Sequence, residues 1–209
     1  MIHGYHLIMP TYGFWLPNDP RGSWSETVRK WELLTYGKST MSCDRRKLEQ
    51  LSENELQRRE AARGSLRYPA VSLSADQIDI VAAGFAEQVQ KSNYTIWACA
   101  ILPEHTHLIV ARHQYACEQI TNLLKGAATR ILIAASSHPL AEYTTPSGKL
   151  PHLWAEHQWI VFLDDEPSIE NAISYVQRNP MKEGMANQDW EFVTPFGGIS
   201  RSCWTTYHS

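Results

Sequence analysis

The sequence predicts an α+β fold in which helices pack on one face of a mainly antiparallel sheet. Two observations predict it. Strand-like and helix-like runs follow the order β, insertion, α, β-β, α, β, α. The runs at 94–102 and 105–112 are joined only by Pro103-Glu104, as in a hairpin. The 209 residues, 43% hydrophobic and 20% charged, suffice for one domain with its own core. We read a single domain over 1–209, with an insertion at 25–72 and an extended C-terminal tail at 185–209.

Each element has a local reason. Tyr5-His6-Leu7-Ile8-Met9 reads as a first strand, followed by a loop in the Pro-, Gly- and Asn-rich WLPNDPRGSW (15–24). Residues 44–64 have high helix propensity and i,i+4 charge pairs such as Glu55–Arg59. Leu48, Leu51 and Leu56 give this helix only a thin apolar stripe, so a surface helix is expected. Ser74 caps a helix to Lys91, with Gln77 completing a capping box and Ile78, Val81, Ala82, Phe85 and Val89 at helical period. Glu118 to Ala135 is a further helix, and 138–151 is loop. Residues 153–163 form a strand or strand pair. Asp164 to Gly184 is the last helix, with Pro167 in its first turn.

Composition narrows the function. The four cysteines form no CxxC pair, and no secretory leader or membrane-length apolar run is visible, so a cytoplasmic protein with no membrane partner is expected. The net charge of −3 argues against a general nucleic-acid binder. Yet residues 29–67 hold ten Lys/Arg against six Asp/Glu, a local net of +4.

The run LPEHTHLIV (102–110) sets His105 and His107 two apart on a strand. Alternation aims both at one face, with Cα atoms ~6.6 Å apart, and two imidazoles so placed can converge on one metal. Two partly exposed histidines on a sheet would look the same, and a metal site needs a third ligand. The last helix offers one. Tyr175 and Asn179 stand at i,i+4 on the border of an apolar face made by Ile169, Ala172, Ile173 and Val176. Asn179 can offer an amide oxygen and Tyr175 a nucleophilic phenol. A boundary tyrosine, with Asn179 as a helix-end residue before Pro180, is the plainer alternative.

These runs together resemble the HUH single-tyrosine transposases, in their REP-associated tyrosine transposase branch. LPEHTHLIV is similar to that family's HUH strand, and YVQRNPMKEG (175–184) to its catalytic helix with the branch's Asn-Pro-x-Lys-x-Gly continuation. LKGAATRIL (124–132) resembles the DNA-facing helix, LWAEHQWIVFLDDEP (153–167) the strand and turn before the tyrosine, and TYGFWLPNDPRGSW (11–24) the opening of the branch. The matches run in family order from about residue 3 to 184; residues 25–72 and the tail lie outside them.

The resemblance implies a ferredoxin-like sandwich with the HUH motif on a central strand. It implies that Tyr175 is catalytic and that His105, His107 and Asn179 hold a divalent metal, Mg²⁺ or Mn²⁺. The partner implied is single-stranded DNA, often in a hairpin or palindromic repeat, and the protein is expected as a monomer or homodimer. Lys125, Thr129 and Arg130 match the DNA-facing positions. Arg112, Arg178, Lys182 and Arg21 are further phosphate candidates, with Arg45, Arg46 and Lys47 beside them. Trp15, Trp24 and Trp159 could stack on bases, while Trp97 and Trp154 suit the core. His6 and His157 match no ligand position and read as structural. Two imidazoles are soft ligands for Mg²⁺, so Mn²⁺ is expected to serve at least as well. Three alternatives stay open. One is a domesticated hairpin binder without chemistry. Another is an RNA-binding module on such a sheet. The last is a metal-dependent hydrolase using Glu104, which neighbours His105 and should point away from it.

Overall fold

The computed structural model of the chain describes residues 1–16, 18–20, 33, 35, 36, 39 and 50–199. They divide into two compact units, 1–9 with 73–137 and 157–209, and 10–72 with 138–156.

The first unit holds a four-stranded sheet in the order β2-β3-β1-β4. Its elements are β1 (Gly4–Pro10), β2 (Ile96–Ile101), β3 (His105–Ala111) and β4 (Trp159–Leu163). β2 and β3 form the expected antiparallel hairpin, and β1 pairs antiparallel with β4 through Gly4↔Leu163 to Ile8↔Trp159. Arg112 N–H, just past β3, donates to His3 O, just before β1, which ties these central strands antiparallel. The outer-to-outer order with two crossovers is the ferredoxin-like pattern, and the histidine strand is central, as expected. Of residues 153–163 only the last five join this sheet.

One irregularity shapes the hairpin. Ile96 pairs with Val110 but Ala98 pairs with Ile109, so Trp97 is an extra, bulged residue. Gly4 makes room for it: a Cβ there would stand 2.8 Å from the Trp97 ring and 2.9 Å from Val110 O.

Helix α2 (Ala75–Ser92) starts at the expected capping box, where Gln77 N–H donates to Ser74 Oγ and Ser74 N–H to Gln77 Oε1. It packs on α3 (Cys117–Ala134), close enough at Gly84 that a Cβ would sit 2.7 Å from Ala128 Cα. Leu7, Met9, Leu108 and Val110 are fully buried on the sheet, as are Phe85, Ile120, Leu124 and Leu132 of this helix pair. The final helix, α4 (Glu166–Lys182), breaks the expectation of helices on one face. Its Ile169 and Val176 pack with Ala98, Ala100, Ile109 and Leu163, and no residue of α2 or α3 joins that cluster. Ala100 is the partner of His107 across the hairpin, so α4 covers the histidine face. The reason is visible in the chain: Ala98 and Ala100 leave a shallow bed that an amphipathic helix can fill.

The helix is shorter than its sequence span. Asp165 is the N-cap, its Oδ1 accepting from Ser168 N–H at 2.7 Å. At the other end Pro180 does not stop it. The last turn runs through to Lys182, closed by Gly184 N–H to Met181 O and Met185 N–H to Pro180 O. Only one N–H is lost by placing proline there, and the final turn tolerates it.

The described part of the tail is anchored to the sheet. Gln188 donates to Ile101 O and accepts from Ile101 N–H, at 2.7 and 2.8 Å. Thr194 N–H donates to Ile96 O, and Phe196 packs edge-on to Trp97. Residues 188–196 thus occupy the open edge of β2, which would otherwise present unpaired backbone groups.

The second unit is built around Thr11–Tyr12. These residues bond to Val71 and Leu153, and Thr11 bridges Trp154. Helix α1 (Glu53–Gly64) is shorter than the expected 44–64 helix: residues 50–52 are not α-helical, and 44–49 lie outside the described residues. Ser52 is extended and caps it, so the helix begins at Glu53. Glu55 accepts from Ser52 N–H and Oγ–H, while Arg59 turns inward to Asp19 at 3.2 Å, both side chains being buried. Leu16, Leu33 and Ala62 form the small core beneath.

Candidate active site

The site lies where β1, β3 and the C-terminal half of α4 converge. His105 and His107 leave β3 on the same face, with ring centroids 4.8 Å apart at a steep angle. His107 is 3% exposed and His105 is half-buried. The histidine side, opposite the buried Leu108 and Val110, is therefore a largely covered face.

Strand β1 adds a residue that sequence reasoning set aside. His6 is buried, and its Nε2 lies 2.9 Å from His107 Nδ1. Two tautomer assignments make this bond. His107 Nδ1–H donates to His6 Nε2, or His6 Nε2–H donates to His107 Nδ1. The signal that could have found His6 was strand order: on β1, next to the histidine strand, it needed only the matching parity.

Above the imidazoles, α4 delivers Tyr175. Its ring centroid is 5.6 Å from that of His107 and 6.0 Å from that of His6, both edge-on. The tyrosine is 42% exposed, whereas Asn179, one turn later on the same side of the helix, is buried. Lys182 Nζ lies 4.7 Å from the Tyr175 ring centroid. An accessible phenol thus sits over buried imidazoles with an ammonium against it.

Among the described residues, no group of three or more His, Cys, Asp or Glu side chains is arranged to hold a metal. Two imidazoles need a further donor. The buried Asn179 amide, on the Tyr175 side of α4, is an oxygen donor of the kind divalent cations accept. The donor set fits an exchangeable divalent ion with open positions rather than a closed structural zinc site.

The DNA-contact candidates are dispersed. Lys125 is buried, hydrogen-bonded through Nζ to Gln158 Oε1 at 3.3 Å, and burial pulls its pKa down to about 8. Thr129 Oγ–H donates back to Lys125 O, and Arg130 is exposed beside Gly126. These three ride on α3, away from the α4 cluster. Arg112 is exposed past the end of β3, roughly 16 Å along the strand from His107. Arg178 is exposed, its Nε donating to Ser174 O. Among the described cationic candidates, Lys182 is the one that lies against the tyrosine ring. Arg21, Arg45, Arg46, Lys47 and Trp24 lie outside the described residues. Glu104, the acid of the hydrolase alternative, lies in the turn before His105. No helix among the described residues is long and apolar enough to cross a membrane.

No family model and no curated protein matches the chain. Among solved structures the chain is similar to a REP-associated tyrosine transposase bound to a REP hairpin. The identity is 14% and the TM-score 0.46, over 96% of this chain and 93% of that one. It is also similar to a protein assigned as a transposase from Deinococcus radiodurans R1. There the identity is 14% and the TM-score 0.36, over 89% and 93% of the two chains. At these values neither likeness assigns a function.

Proposed function

We propose that this protein is a metal-dependent single-stranded DNA endonuclease and strand transferase. It would be a transposase of the HUH single-tyrosine type, acting on hairpin-forming palindromic repeats through a 5′-phosphotyrosine intermediate. One observation carries the reading. The two motifs that resemble this family lie far apart in sequence, and their key rings, Tyr175 and His107, meet at 5.6 Å.

His105, His107 and Asn179 would hold one divalent cation, Mg²⁺ or Mn²⁺, which when bound polarises a non-bridging oxygen of the scissile phosphate. Tyr175 Oη attacks phosphorus. The Oη–P bond forms, the P–O3′ bond breaks, and the leaving 3′ oxygen takes up a proton. The tyrosine's own proton passes to solvent, to which this side chain is open. Lys182 supplies positive charge beside the phenolate as it forms. The phosphodiester energy is kept in the tyrosine link, so attack by a 3′-OH rejoins DNA without ATP. Arg112, Lys125, Thr129, Arg130, Arg178 and Arg21 would track the backbone phosphates, and binding would weaken with salt.

The test is cleavage of 5′- and 3′-labelled single-stranded hairpins, taken from the flanks of the gene, with Mn²⁺ or Mg²⁺. The account expects a metal-dependent nick that chelator abolishes. Tight hairpin binding with no nick under either metal would replace it with the domesticated binder. Nicking that survives in Tyr175→Phe would point to hydrolysis.

A further inference from the structure

We propose that His6 is a positioning residue for the metal ligand His107, an inference that rests on the function proposed above. A neutral imidazole has one N–H and one lone pair, so the direction of one bond fixes what the other nitrogen can do. His107 Nδ1 is committed to His6 Nε2 at 2.9 Å, in a buried pair where neither ring can exchange that partner for water at no cost. If His6 donates, His107 carries its own proton on Nε2 and has no lone pair left for a cation. If His6 accepts, His107 is the Nδ1–H tautomer and it is Nε2 that carries the ring's lone pair, the one a cation would use. Only the second assignment is compatible with His107 as a ligand. A ligating histidine ordinarily donates its other N–H to an acceptor that fixes ring orientation and raises basicity, and carboxylates or carbonyls usually serve. Here the acceptor is a third imidazole.

The fold makes this specific to His6. β1 adjoins β3 in the sheet, and the bond spans from residue 6 to residue 107 across that pairing. His6 also stands 6.0 Å from the Tyr175 ring, so it buttresses the ligand from the side on which the nucleophile approaches. The bond settles the His107 ring plane before any ion arrives, and His105, half-buried and 4.8 Å away, completes the imidazole pair.

The first readout needs no variant and no metal. Long-range ¹H–¹⁵N correlation spectra of the metal-free wild-type protein should show His107 protonated on Nδ1 and bare on Nε2. The second is Mn²⁺ affinity followed by the electron paramagnetic resonance of free Mn²⁺. His6→Phe should weaken Mn²⁺ binding about 10- to 100-fold. His6→Gln, whose Oε1 can take the place of Nε2 as acceptor, should restore most of it. An Nε2–H tautomer at His107 overturns the proposal, as does an unchanged Mn²⁺ affinity in folded His6→Phe. So does a His6→Gln as weak as His6→Phe. In each of these cases wild-type protein that still binds Mn²⁺ and nicks hairpins leaves the function standing. Wild-type protein that binds no Mn²⁺ overturns both.

Discussion

Lys125 is the sharpest point at which stability and function pull apart. Its ammonium is buried on α3, and burial lowers its pKa from 10.5 to about 8. A tenfold change in proton affinity is about 1.4 kcal/mol, so holding the charged form in the fold costs about 3 kcal/mol at neutral pH. The hydrogen bond to Gln158 returns about 1 kcal/mol of that. Methionine has a similar length, is unbranched and carries no charge. Lys125→Met should therefore stabilise the protein by about 2 kcal/mol at pH 7, read as a higher urea midpoint at unchanged slope. The sign with pH follows from linkage. Between about 8 and 10.5 the unfolded lysine binds a proton that the folded one has released, so wild-type stability gains with rising pH there. Below pH 8 both states are protonated and the full cost applies. The wild-type-minus-variant difference should thus shrink between pH 7 and pH 9.5. If Lys125 is kept for DNA, the same variant should bind single-stranded hairpin more weakly, with a salt slope shallower by about 0.7. A Lys125→Met protein that is less stable than wild type at pH 7 would refute the reasoning, because it would make the ammonium a net support of the fold.

Other perturbations bear on separate parts of the account. Lys182→Gln removes the charge over Tyr175 and should slow covalent adduct formation roughly tenfold, about 1.4 kcal/mol in the barrier, measured in single turnover. Thr106 faces away from the histidines, and its buried hydroxyl has no hydrogen-bond partner among the described residues. Thr106→Val should raise unfolding stability by about 1 kcal/mol and leave Mn²⁺ affinity unchanged, a result checked by urea denaturation and metal titration. His138 is buried, accepts Leu140 N–H at Nδ1, and has its pKa lowered by that burial. The unfolded state then takes up the proton first, so the His138 contribution is present above about pH 6.5 and is lost as pH falls through the lower folded value. His138→Asn keeps an acceptor for Leu140 and should flatten the stability profile between pH 7 and 5; an unaltered profile would clear His138 of that role.

Much of this architecture was legible because the local signals agree with the fold. The Ser74–Gln77 capping box, the helical period of 78–89 and the short Pro103-Glu104 turn each depend on residues close in sequence, and each forms as read. The same holds for the Tyr175–Asn179 spacing, which is a property of one helix. What failed to show were pairings fixed only by the sheet. His6 looks like an ordinary strand residue until β1 is set beside β3. Arg59 has a local partner in Glu55 on paper, yet the capping of Ser52 engages Glu55 and burial turns Arg59 to Asp19. Gln188 has no pattern around it, and its role as a backbone mimic on the β2 edge appears only when that edge exists. The placement of α4 over the histidines was hidden for a related reason. Ala98 and Ala100 read as small strand residues, and only the register with His107 and Ile109 makes them a bed for a helix.

The central claim is that Tyr175 becomes covalently joined to DNA. The direct measurement is intact-mass analysis of the protein after incubation with a flanking hairpin oligonucleotide and Mn²⁺, followed by peptide mapping of the adduct. The account predicts a mass increase equal to the 3′ portion of the cut strand, mapped to the peptide carrying Tyr175 and absent from Tyr175→Phe and from chelator-treated samples. An adduct mapped to any other residue, or one that persists in Tyr175→Phe, would contradict it.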